Sequence, residues 1–138
     1  MARANVNKDI QAPAAEVWSQ LADFAGIKPG GPIEAVSYEG EGVGMVRTLT
    51  MGGGQVAERL EEHDADQLTF TYAITNDDSP LPFKNYSATV KLTDNGDGST
   101  NVDWTGTFEA EGDEGAAINV ATGIYAGAIK GAKIALQG

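Results

Sequence analysis

The sequence predicts an α+β domain in which a run of antiparallel strands is covered by one long C-terminal helix. Apolar residues recur at every second position through most of residues 33–110, in runs broken by short Gly-, Asp- and Asn-rich segments. From Asp113 to about Leu136 the period becomes helical, and Ile118, Ala121, Tyr125, Ile129 and Ala132 fall on one face. With 138 residues and 41% hydrophobic content, the chain fits a single domain, 1–138, with a real core.

Each element has a local reason. Val6, Lys8 and Ile10 begin an extended segment. Pro13 suits the first turn of a helix over residues 13–24, whose apolar face carries Val17, Trp18, Leu21 and Phe24. The Gly- and Pro-rich "AGIKPGGP" ends it. Six strands follow, near residues 33–40, 45–51, 55–63, 68–75, 85–92 and 101–110. Consecutive strands joined by short turns mean an antiparallel meander. "TDNGDGST" is the turn of the last hairpin, through its Asn-Gly and Asp-Gly pairs. In the final helix Asp113 and Glu114 suit the first turn, and Lys130 and Lys133 lie toward the end, as the helix dipole favours. Gly123, Gly127 and Gly131 recur every fourth residue, which is expected to let the helix approach the sheet or to free cavity volume. Each costs about 1 kcal/mol of helix propensity.

Charge and residue usage exclude several functions. Twenty acidic residues against nine basic ones give a net charge of −11. That charge repels nucleic-acid phosphates and anionic lipid surfaces. No nucleic-acid partner and no membrane insertion are expected. There is no cysteine, so disulfides and thiolate metal sites are out. His63 is the single histidine; it sits beside a turn and reads as exposed, and neither a histidine metal site nor a catalytic triad can be built on it. No metal and no cofactor are expected. The first residues lack a signal-peptide core, and the uncharged run 115–129 is too short to span a bilayer. The expectation is a cytoplasmic protein, a monomer or weak homodimer.

The glycine run in "TLTMGGGQVAERL" could cradle phosphate, but no Lys-Ser or Lys-Thr follows it, and Gly40, Gly42 and Gly44 miss the dinucleotide spacing because Met45 takes the last position. It reads instead as a two-residue hairpin turn at Gly53–Gly54. That turn sets Met51 opposite Val56, Leu49 opposite Glu58 and Arg47 opposite Leu60. Arg47, Leu49, Met51, Val56, Glu58 and Leu60 then share the apolar face. Arg47 and Glu58 become diagonal neighbours, and because a lone buried charge is costly, they are expected to pair. In the last hairpin, Leu92 opposite Val102 sets Val90 against Trp104, Ala88 against Gly106 and Tyr86 against Phe108. Ala88 facing Gly106 leaves a gap in mid-sheet. Either the helix packs closely there or a cavity opens.

These residues resemble a known family. "GVGMVRTLTM", "AERLEEHDADQLTFTY", "LPFKNYSATVKLT" and "GSTNVDWTGTFEAEG", in this order over nearly the whole chain, look like the START-related, Bet v 1-like superfamily, in its polyketide cyclase/dehydrase-like branch. The resemblance implies a helix-grip fold: a seven-stranded curved antiparallel sheet around a long C-terminal helix, with two short helices between strands 1 and 2. It also implies an internal cavity between sheet and helix that binds hydrophobic small molecules. By position, Glu58, Tyr72, Tyr86 and Trp104 match cavity-lining places in relatives, and Arg47, Leu49 and Met51 match the preceding strand. The loop at Gly52–Gly54 is shorter than the closing loop of the similar plant abscisic acid receptors, whereas the second entrance segment, "SPLPFKNY", is retained.

The expected function is therefore binding of a small hydrophobic, lipid- or polyketide-like molecule. Arg47 and Glu58 would meet its polar end. Leu49, Met51, Tyr72, Tyr86, Ala88, Trp104, Gly106, Tyr125 and Ile129 would wall the rest. The alternative is an enzyme of the cyclase or dehydratase type, with Glu58 transferring a proton and Arg47 or a tyrosine stabilising an enolate. A third reading is protein interaction through an exposed sheet edge.

Overall fold

The period-two alternation becomes seven strands in the computed structural model, which describes residues 1–137 apart from Ala25, Ile27, Lys28, Gly31, Pro32 and Asp77 (for Gln137, the backbone). The order is β1 (Ala2–Ile10), α1 (Ala14–Leu21), β2 (Ala35–Glu39), β3 (Val46–Met51), β4 (Gly54–Asp64), β5 (Thr69–Ile74), β6 (Phe83–Asp94), β7 (Thr100–Ala110) and α2 (Glu114–Gln137). All strand neighbours are antiparallel, in the spatial order β1-β7-β6-β5-β4-β3-β2. Strands β2 to β7 form the expected meander, and β1 adds to its far edge beside β7. This is the helix-grip arrangement.

The sheet buries one face under α2. Alternation is clean on β7, where Val102, Trp104, Gly106 and Phe108 point inward. α2 answers with Ala117, Ala121, Tyr125, Ile129 and Ala132, all buried, while Ile118 is half-buried against the same core. Asp113 caps the helix by accepting from the Ala116 amide at 2.8 Å, as a helix N-cap should. The buried Thr100 hydroxyl donates to the Ala12 carbonyl at 2.8 Å and ties β7 to the chain entering α1. Two β-bulges, between Leu60 and Glu62 and between Lys84 and Ser87, add local bend to β4 and β6. Among the described residues, no helix is long and apolar enough to cross a membrane.

Several expectations need correction. Between β1 and β2 the described residues hold one of the two expected short helices, α1. α1 stops at Leu21, short of Phe24. The second was expected just after Phe24, where Ala25, Ile27, Lys28, Gly31 and Pro32 fall outside the described residues.

The β3–β4 turn is at Gly52–Gly53, one residue earlier than expected. Both glycines have positive φ, 58° and 80°, as a type I′ turn requires. The register moves by two residues, so Met51 faces Gly54, Leu49 faces Val56 and Arg47 faces Glu58 directly. A slip of two leaves every side chain on its original face, so hydrophobic alternation cannot detect it. Opposite charges set face to face favour the observed register.

In the last hairpin, Leu92–Val102, Val90–Trp104 and Ala88–Gly106 pair as expected, but Tyr86 does not face Phe108 in register. Asn85, at φ 53°, opens the bulge there.

Gly123, Gly127 and Gly131 do not face the sheet. They are exposed, and an added Cβ at any of them meets no atom within 4 Å. Each lies two residues from buried Tyr125 or Ile129, and at 3.6 residues per turn that is nearly the opposite side of the helix. Replacing each by Ala is therefore expected to stabilise the protein by about 0.4–1 kcal/mol, read as a rise in the denaturant midpoint at unchanged m-value.

Candidate functional site

Arg47 and Glu58 meet across β3 and β4 on the inner face. The Arg47 Nε donates to Glu58 Oε1 at 2.7 Å, and the two side chains are 9% and 10% exposed. Arg47 Nη1 donates to the Phe24 carbonyl at 3.3 Å. The guanidinium lies 3.9 Å from the Phe24 ring centroid and 5.7 Å from that of Tyr72. Two aromatic faces thus cover a cation whose charge is already balanced by a carboxylate.

Deeper in, three tyrosines join in a chain. Tyr72 and Tyr86 hydroxyls are 3.0 Å apart, and those of Tyr86 and Tyr125 are 2.5 Å apart. Burial pushes the Tyr125 hydroxyl up to about 12 and raises those of Tyr72 and Tyr86 well above the ordinary value, with the Glu58 carboxylate adding to the rise at Tyr72. All three therefore keep their protons near neutrality. Trp104 stacks on Tyr125 at 5.1 Å and meets Tyr72 edge-on at 6.4 Å. Its Nε1 is the one buried side-chain polar atom among the described residues with no hydrogen-bond partner.

The mid-sheet gap opposite Ala88 and Gly106 is filled by the helix. The Tyr125 hydroxyl lies over Gly106 so closely that an added Cβ would overlap it, with the Tyr125 Cζ 3.1 Å away. Gly106 is thus a seat for Tyr125. Gly106→Ala is expected to cost about 1–3 kcal/mol through overpacking. Adding Tyr125→Phe, which removes the overlapping oxygen, should restore part of the loss in urea unfolding.

Between α1, the β2–β3 loop and β4 lies a cleft of about 460 Å³, lined by residues that include Ala22, Phe24, Val43, Met45, Leu60 and His63. Phe24 lines this cleft and also lies against the Arg47 guanidinium, and Leu60, beside Tyr72 in register, is another of its lining residues. His63 is exposed as expected, yet its ring lies 5.1 Å from Trp18, and its Nε2 sits 3.3 Å from the Ala22 carbonyl. A smaller cavity of about 150 Å³ reaches Tyr86 from the β5–β6 side.

Of the residues singled out in the sequence, Arg47, Glu58, Tyr72, Tyr86, Ala88, Trp104, Gly106, Tyr125 and Ile129 are brought to the inner face around this centre. Leu49 is buried and Met51 half-buried, but both lie toward the Gly52–Gly53 turn, outside the contiguous core. Sequence reasoning missed the cleft. Phe24 falls just beyond α1, where periodicity no longer says which way a side chain points.

Residues 1–137 match the family described as polyketide cyclase / dehydrase and lipid transport. The chain belongs to this family. Among curated relatives of this polyketide cyclase/dehydrase family member, MLP-like protein 423 of Arabidopsis thaliana is 25% identical over 116 residues, covering 76% of this chain and 74% of its own. The solved structure of XoxI from Bacillus cereus superposes with a TM-score of 0.84 at 28% identity, over 98% of this chain and 95% of that one. Norcoclaurine synthase from Thalictrum flavum, solved with dopamine and hydroxybenzaldehyde, shares the fold: TM-score 0.75, 16% identity, 98% and 86% coverage.

Proposed function

We propose that this family member binds one small, largely apolar molecule, entering by the cleft beside α1 and turning its polar end toward Arg47 and the tyrosine hydroxyls. The observation that carries this reading is the position of Phe24: one residue both lines an apolar cleft and touches the buried Arg47 of the polar cluster. Buried polar groups in an otherwise apolar interior cost stability unless they have a task or full pairing. The match to a family described by cyclisation, dehydration and lipid transport supports the same reading.

The enzymatic alternative is less well served by the geometry, because Glu58 Oε1 is held at 2.7 Å by Arg47 and proton transfer there would have to break the pair. Native mass spectrometry of the purified protein should detect a co-purified small molecule. A panel of apolar probes should raise Tm; a probe at a hundred times its Kd adds about 2.7 kcal/mol. No co-purified mass and no Tm shift with any probe would end this reading.

A further inference from the structure

Counting donors and acceptors in the interior narrows the ligand. Each tyrosine hydroxyl carries one proton. Two hydrogen bonds join Tyr72, Tyr86 and Tyr125, so one of the three protons is left unused within the cluster. The Trp104 indole is a donor only, it is 6% exposed, and its Nε1–H has no acceptor. Its in-register neighbours on β1 and β6 are Val6 and Val90, which offer no side-chain acceptor. Among the described residues, no buried side-chain acceptor is left unpartnered in return. The tyrosine oxygens keep free lone pairs, and among the described residues the one buried side-chain polar atom that goes wholly unmet is a donor, the Trp104 N–H.

Charge narrows it again. Arg47 is already neutralised by Glu58, and among the described residues no second cationic side chain is buried. A carboxylate carried inward would be uncompensated, and the chain's net charge of −11 opposes its approach.

Resting on the binding reading above, we propose that the bound molecule presents a neutral hydrogen-bond acceptor, a ketone or other carbonyl oxygen on an apolar body, to Trp104 Nε1 and the end of the tyrosine chain. Trp104 is then the residue that selects for this group. Leaving the indole N–H unmet in a dry interior penalises any ligand of the same shape without an acceptor.

Three probes on one skeleton test this by calorimetric titration: benzophenone, diphenylmethane and diphenylacetate. The wild-type protein should bind benzophenone about tenfold more tightly than diphenylmethane, and diphenylacetate least. Trp104→Phe keeps an aromatic ring and loses the donor, so whatever it does to both affinities alike, the ratio of benzophenone to diphenylmethane affinity should fall close to one. Tyr125→Phe, which shortens the hydroxyl chain, is the second variant should the first fail to fold. Equal affinity for benzophenone and diphenylmethane, tightest binding of diphenylacetate, or a benzophenone advantage intact in both variants overturns the proposal while the binding reading stands. Failure of the wild type to bind any of the three, with no Tm shift from the wider panel, overturns both.

Discussion

Glu58→Ala is expected to destabilise the protein by about 3–5 kcal/mol, because it leaves the Arg47 guanidinium buried without its counter-ion. For a domain of this size that corresponds to a fall in Tm on the order of 10 °C. The hydrogen bond to the Phe24 carbonyl and the two aromatic faces cannot replace a carboxylate. The double variant Arg47→Met with Glu58→Leu removes both charges and fills much of the volume. It should recover most of the loss, since apolar replacement of a buried pair is often neutral or stabilising. Calorimetry on the three proteins decides it. A loss below about 1 kcal/mol in Glu58→Ala would mean that water reaches the pair and that it behaves as an exposed one.

The second large effect is alkaline unfolding. The folded-state pKa values of Tyr72, Tyr86 and Tyr125 are all raised above the ordinary 10.0, the last to about 12. The unfolded chain therefore loses these protons first as pH rises. Below pH 10 both states hold them and the full stability is present. Above pH 10 the unfolded state is favoured by about 1.4 kcal/mol per pH unit for each tyrosine, or ~4 kcal/mol per unit for the three. Against a typical total of about 5–15 kcal/mol, the fold should not survive much beyond pH 12. Urea titrations at several pH values give the slope, and phenolate absorbance should rise together with loss of helix. Early, reversible ionisation of these three hydroxyls in the folded protein would contradict it.

Much of this was legible in the sequence, for physical reasons that particular residues make plain. Strand alternation has a period of two, so it assigned Arg47 and Glu58 to the inner face even with the turn placed one residue late. Helical periodicity likewise picked Ala121, Tyr125, Ile129 and Ala132. The same period would have placed Gly123, Gly127 and Gly131 outside had it been applied to them. The Tyr86 bulge was not legible, because it depends on Asn85 adopting a left-handed backbone that its neighbours do not announce. Nor was the cleft, which is made by segments distant in sequence: Phe24 from beyond α1, Met45 and Val43 from the β2–β3 turn, and His63 from the end of β4. Only the fold shows that Tyr125 occupies the gap that Ala88 and Gly106 leave.

The run Gly52–Gly54 has one further consequence. An added Cβ at Gly54 would come within 3.3 Å of Pro80 Cδ, and one at Gly52 within 3.6 Å of Pro80 Cβ. Pro80 belongs to the loop between β5 and β6, the partner of this turn at the same end of the sheet. The two loops are therefore mechanically coupled through that contact. A side chain at position 54 needs the Pro80 ring to give way by a few tenths of an ångström. Pro80 thus acts as a wedge that holds the two loops at a fixed spacing through its contact with position 54.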